Sequence, residues 1–110
     1  MRLPKIKKLK IGSSWYDVKY VDDLKNERGK PLFGRIWQTT HLVEIDKNTS
    51  YQRKLQALTH ESTHGICWEY AIDDEEDLVE PMSNGFYAFI VSNPELIRAI
   101  LKCAEELKKC

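Results

Sequence analysis

The hydrophobic period of this chain changes once, near Asp46, and that change constrains the fold more than any other feature. Before it, Tyr16, Val18 and Tyr20 alternate with Asp17, Lys19 and Val21, the period of a half-buried strand. After it, Leu55, Leu58, Ser62, Ile66 and Tyr70 fall at helical spacings in a proline-free stretch from Tyr51 to Tyr70. Gly12-Ser13-Ser14 supplies a turn that pairs the alternating strand with Lys5 to Ile11 as a hairpin. Gly34 to Gln38 and Leu42 to Asp46 read as two further short strands around Thr39-Thr40, and Asp22 to Pro31 as a loop. Strands first and helices afterwards predict an α+β domain, with a small antiparallel or mixed sheet in residues 1–46 and three helices behind it.

The first helix is predicted over 50–71, with Thr49 and Gln52 in a capping-box pattern at its start. The second covers 77–91. The third covers 94–109 and has the clearest signals: Asn93 as N-cap, Pro94 at the first helical position and Glu95 in the first turn. Its apolar stripe is Leu96, Ile100, Cys103 and Leu107, widened by Ile97, Leu101 and Ala104. No internal repeat interrupts this order, and 110 residues suit one domain, 1–110, rather than two.

The 17 basic and 17 acidic residues cancel, which removes any broad electrostatic attraction to nucleic acid or anionic membrane. Arg2, Lys5, Lys7, Lys8 and Lys10 crowd the N-terminus. Without interleaved aromatics or a helix-turn-helix signal they read as a solvated strand edge or tail, so nucleic acid is not an expected partner. The same segment lacks the apolar region of a signal peptide. The longest apolar run, Phe86 to Val91, is far short of the ~20 residues a membrane helix needs. Cys67, Cys103 and Cys110 are odd in number and lack metal-knuckle spacing, which fits a reducing compartment. On one helix Cys103 and Cys110 would stand about 10 Å apart, too far to bridge, and Cys103 reads as core filler. The expectation is a soluble, cytoplasmic protein. Asn48-Thr49-Ser50 matches a glycosylation acceptor that carries little weight without a secretion signal.

The chemistry concentrates in His60-Glu61-Ser62-Thr63-His64. Residues four apart on a helix lie about 40° apart around its axis and one turn apart along it, so two imidazoles can converge on one metal ion. Glu61 projects to the side, where it can meet a metal-bound water; this is the H-E-x-x-H arrangement of zinc with a glutamate base. A catalytic zinc needs a third protein ligand and keeps one position for water. Glu80 is the candidate, because the short connection makes the first two helices antiparallel neighbours. Asn84, one turn on, would stand behind it. Glu75, Glu76 and Asp77 sit in a charge run that reads as a solvated turn. His41 reads as a surface residue, and Tyr87 as core or as a donor to the site; neither is counted in it.

The stretch from Arg53 to Ile90, RKLQALTHESTHGICWEYAIDDEEDLVEPMSNGFYAFI, resembles the active-site half of small gluzincin metallopeptidases. It is most similar to the ImmA/IrrE type and its short phage- and prophage-encoded members. The resemblance implies Zn2+ held by His60, His64 and Glu80, with Glu61 as catalytic base, acting on a protein or peptide substrate. It also implies a substrate-aligning edge strand, from Gly34 to Gln38 or Leu42 to Asp46. Ser62 and Thr63 stand where such relatives carry bulky apolar residues. Pro81 requires the second helix either to start just before Glu80 or to kink there. The alternative reading is a non-catalytic, zinc-stabilised module that binds a repressor or toxin partner, and a fourth protein ligand would favour it.

Overall fold

A computed structural model describes residues 3–108 and turns the change of period at Asp46 into a change from sheet to helix. Four strands come first: β1 (Lys8–Ile11), β2 (Ser14–Val21), β3 (Gly34–Trp37) and β4 (Leu42–Asp46). Three helices follow: α1 (Tyr51–Glu69), α2 (Glu76–Ser92) and α3 (Pro94–Lys108). The architecture is α+β with a mixed sheet, as the patterning predicts.

The strand order is β1-β2-β4-β3. The β1–β2 and β3–β4 pairs are antiparallel, whereas β2 and β4 run parallel. The connection from β2 to β3 must therefore carry the chain past β4. That connection is ordered: Leu24 is buried, and Asn26 Oδ1 accepts from the backbone amides of Arg28 (2.9 Å) and Lys30 (3.0 Å). Its effect is to leave β3 at a sheet edge. The other edge is β1, whose exposed Lys8 and Lys10 give the solvated, charged border expected of the basic segment.

Alternation decides which face is covered. Tyr16 and Val18 of β2, with Val43 and Ile45 of β4, turn toward α1 and form the core with Ile11, Ala57 and Leu58. Val43 and Ile45 are fully enclosed, each contributing about 1.5–3 kcal/mol relative to an exposed position. Gly65 sets how close α1 comes. A Cβ there would lie 2.9 Å from Ile11 Cδ1 and 3.3 Å from Ile36 Cδ1, so the absent side chain lets the turn after His64 press onto β1 and β3. Thr63 is also buried, and its hydroxyl donates to the Thr59 carbonyl at 2.8 Å. A satisfied hydroxyl thus occupies a core position that an aliphatic residue could have filled.

Helix ends correct several expectations. The cap of α1 is Ser50, whose Oγ accepts the Arg53 amide at 3.1 Å; Thr49 Oγ1 instead donates to the Asp46 carbonyl at 3.2 Å. The helix closes at Glu69, with the Tyr70 amide on the Ile66 carbonyl and Ala71 left-handed at φ 55°. Helix α2 begins at Glu76, a full turn before Glu80, so Pro81 falls inside it. Only the Asp77 carbonyl, close to the exposed helix start, loses its amide donor to the proline. Asn93 closes α2, its Nδ2 donating to the Phe89 carbonyl at 2.9 Å, while its own carbonyl accepts the Ile97 amide of α3.

Cys103 is not core filler. It is exposed, because α3 does not fold back onto the domain and buries none of its residues. Cys67 is buried. Arg2, residue 109 and Cys110 lie outside the described residues. Among the described residues no helix is long and apolar enough to cross a membrane.

Candidate metal centre

The middle of α1 and the first turns of α2 meet across a cleft of about 920 Å³, whose opposite wall is the segment from Lys30 to Ile36. The helices are antiparallel, since His64 meets Glu76 while His60, one turn earlier, meets Ser83, farther along α2. Both histidines face this cleft with side chains no more than 18% exposed. Their rings stand 5.2 Å apart, edge to face.

Each ring points the same nitrogen inward. His60 Nε2 is 2.7 Å from Glu76 Oε1, and His64 Nε2 is 3.0 Å from Glu76 Oε2. The outward nitrogens are engaged as well. His64 Nδ1 lies 3.4 Å from Asp74 Oδ2, the oxygen that also accepts from Trp68 Nε1 at 2.7 Å. His60 Nδ1 lies 3.3 Å from Ser83 Oγ, and that hydroxyl donates to the Glu80 carbonyl at 3.1 Å. The same Ser83 Oγ is placed to accept from His60 Nδ1–H. Asp74 is likewise an acceptor for His64 Nδ1–H.

In the Nδ1–H tautomer both Nε2 lone pairs face the Glu76 carboxylate. The two Nε2 atoms and the carboxylate thus converge at 2.7–3.0 Å, an arrangement that a shared cation would stabilise. One ligand atom from each of His60, His64 and Glu76 falls within 4.8 Å of the others, close enough to hold one metal ion. The donor set, two imidazoles and a carboxylate with hydrogen-bonded outer nitrogens, fits zinc.

Glu80 lies on the other side of His60, its Oε2 3.8 Å from Nδ1. The structure thus brings together His60, His64 and Glu76, and sets Glu80 one turn further along the same wall of the cleft. Asn84 follows on that wall. Glu76 belongs to the charge run that reads as a solvated turn, yet it is the first residue of α2. The signal that could have found it is its four-residue spacing from Glu80, which places both carboxylates on one helix face. Asp74, Ser83 and Trp68 have no comparable local signature.

Glu61 is 8% exposed and packs against β3. A Cβ at Gly34 would sit 3.1 Å from Glu61 Cγ and 3.3 Å from Oε2, so glycine makes room for the carboxylate between helix and strand. Burial pushes its carboxyl above the usual carboxylate range; His60 and His64 offset only part of that rise, and Glu76 and Glu80 add to it. His41 is exposed at a left-handed turn, away from the cleft lining, which agrees with its reading as a surface residue.

No protein-family model, curated protein or solved structure matches this chain.

Proposed function

We propose that this chain is a zinc-dependent metallopeptidase in which Glu61 is the general base. The supporting observation is the convergence of His60 Nε2 and His64 Nε2 on the Glu76 carboxylate, with both Nδ1 atoms hydrogen-bonded behind. Two histidines and a glutamate make up a catalytic zinc donor set that leaves a coordination position for water. When bound, zinc supplies Lewis-acid polarisation of the scissile carbonyl and lowers its water's pKa to about 7.

The protein's own groups supply the rest. Glu61, adjacent to the ligand His60 and shielded by Gly34, takes the proton of the attacking water and returns it to the leaving amine. The outer edge of β3, part of the same cleft wall, has no strand partner among the described residues and is open to an extended peptide. A protein or peptide substrate held there would run past the base.

The test is metal analysis of the purified protein, followed by proteolysis of labelled casein. Stoichiometric zinc is expected in the wild type and in Glu61→Gln, with cleavage lost in the latter. His60→Ala and His64→Ala are expected to lose zinc. Zinc-free wild type, or full cleavage by Glu61→Gln, would overturn the reading.

A second reading, a zinc-stabilised interaction module without catalysis, draws on the position of Glu80. Its carboxylate lies near enough to His60 for a rotamer change to make it a fourth protein ligand, which would close the site to water. Coordination number separates the two readings.

A further inference from the structure

We infer that the second half of α2 and the whole of α3 form a self-association surface, occupied by a second copy of this chain. The inference rests on these two helices alone and is independent of the metal site.

Helix α3 is amphipathic in sequence yet buries none of its residues, and among the described residues it touches only α2. Phe86, Phe89, Ile90, Val91, Leu96, Ile100, Leu101 and Leu107 are all 46–69% exposed. The projecting pair stretches the molecule: its radius of gyration is 15.0 Å, where a compact chain of this length has about 13 Å. A lone helix of this length is marginal in water and draws its stability from a packed apolar face. Among the described residues no other element supplies that packing.

Three observations select a second copy as the occupant. The first is area. Against the roughly 300–600 Å² of the largest contiguous apolar patch on a typical monomer, eight half-exposed large apolar side chains offer on the order of 800 Å² in total. That is about what each partner contributes to a standard stable interface. The second is geometry. Leu96, Ile100, Cys103 and Leu107 follow a four-three-four spacing, the seam of helices that pack knobs into holes, and it is flanked by Ala99 and Ala104, small enough for close approach. The third is charge. The polar positions of α3 are Glu95, Arg98, Lys102, Glu105, Glu106 and Lys108, three acids and three bases, and the whole chain has net charge +0. Two copies therefore meet without mutual repulsion, and a two-fold axis lets one patch be its own complement.

Light scattering coupled to size exclusion, run on the full chain between about 1 and 100 µM, tests this. The expected mass is twice the chain's 12.9 kDa. The double variant Ile100→Glu, Leu107→Glu should run as a monomer and keep a cooperative unfolding transition, since both side chains lie outside the core. The control Arg98→Ala, Glu105→Ala, on the polar face, should remain dimeric. A wild-type monomer at 100 µM, or a dimer that survives the double glutamate variant, overturns the inference.

Discussion

The Nδ1 of His64 lies 3.4 Å from the carboxylate of Asp74, and the same Asp74 oxygen is held by the Trp68 indole at 2.7 Å. A carboxylate behind a ligating histidine fixes which nitrogen carries the proton and raises the basicity of the other. Asp74→Asn should therefore weaken zinc binding by about 10–100-fold, measured by competition with a fluorescent chelator. Trp68→Phe removes the clamp on Asp74 and should give a smaller loss. Wild-type affinity in Asp74→Asn would show that His64 needs no support from this side.

The choice between Glu76 and Glu80 yields a direct prediction. Glu76 bridges both Nε2 atoms, whereas Glu80 approaches His60 from Nδ1. Glu76→Gln should lower zinc affinity by more than ~100-fold, a larger loss than an orienting group produces, and Glu80→Gln by less than that. Comparable large losses in both variants would mean that four protein groups hold the ion and that the site is closed. A loss confined to Glu80→Gln would return the third ligand to the carboxylate favoured by the sequence.

That contrast shows where the sequence was legible and where it was not. The His60–His64 pair depends only on the helical repeat, a local property, so the sequence alone identifies it. Which carboxylate joins the two histidines depends on where α2 starts and on its height against α1. Glu75, its N-cap, makes no side-chain capping bond, and the acids from Asp73 to Asp77 give no mark of the first turn. Pro81 points to a start near Glu80, but the helix accommodates it in the second turn at the cost of one exposed carbonyl. The edge position of β3 was open between two strands, because strand order is a tertiary property that alternation does not encode. Cys103 illustrates the same limit: amphipathic spacing identifies an apolar face without saying what covers it.

Gly34 governs the space available to Glu61, the proposed base. An added methyl would stand 3.1 Å from both Glu61 Cγ and Ile45 Cδ1, and Ile45 is fully buried and cannot easily yield. The displacement falls on Glu61. Gly34→Ala is expected to reduce peptide cleavage roughly tenfold, given the steep dependence of rate on the placement of a catalytic group, and to leave zinc affinity unchanged. A parallel fall in zinc content would show instead that the methyl disturbs α1 as a whole.

Cys67 and Tyr16 should make the fold less stable in alkali, with Tyr20 acting in the same direction. Burial pushes the Cys67 thiol up, with Asp74 and Asp73 adding to the rise, and burial followed by Glu69 raises the Tyr16 phenol. Both groups are neutral when protonated, so the folded state holds protons that the unfolded chain releases first. Their stabilising contribution is complete below the unfolded values, about 8.5 for the thiol and about 10 for the phenol, and is lost as pH rises past them. Urea midpoints should thus be higher at pH 7 than at pH 10.5. In a chain with Cys103 and Cys110 both replaced by serine, Cys67 should react with a disulfide reagent only as fast as the protein unfolds. Prompt labelling at pH 7 would mean that the Cys67 side of α1 opens without global unfolding.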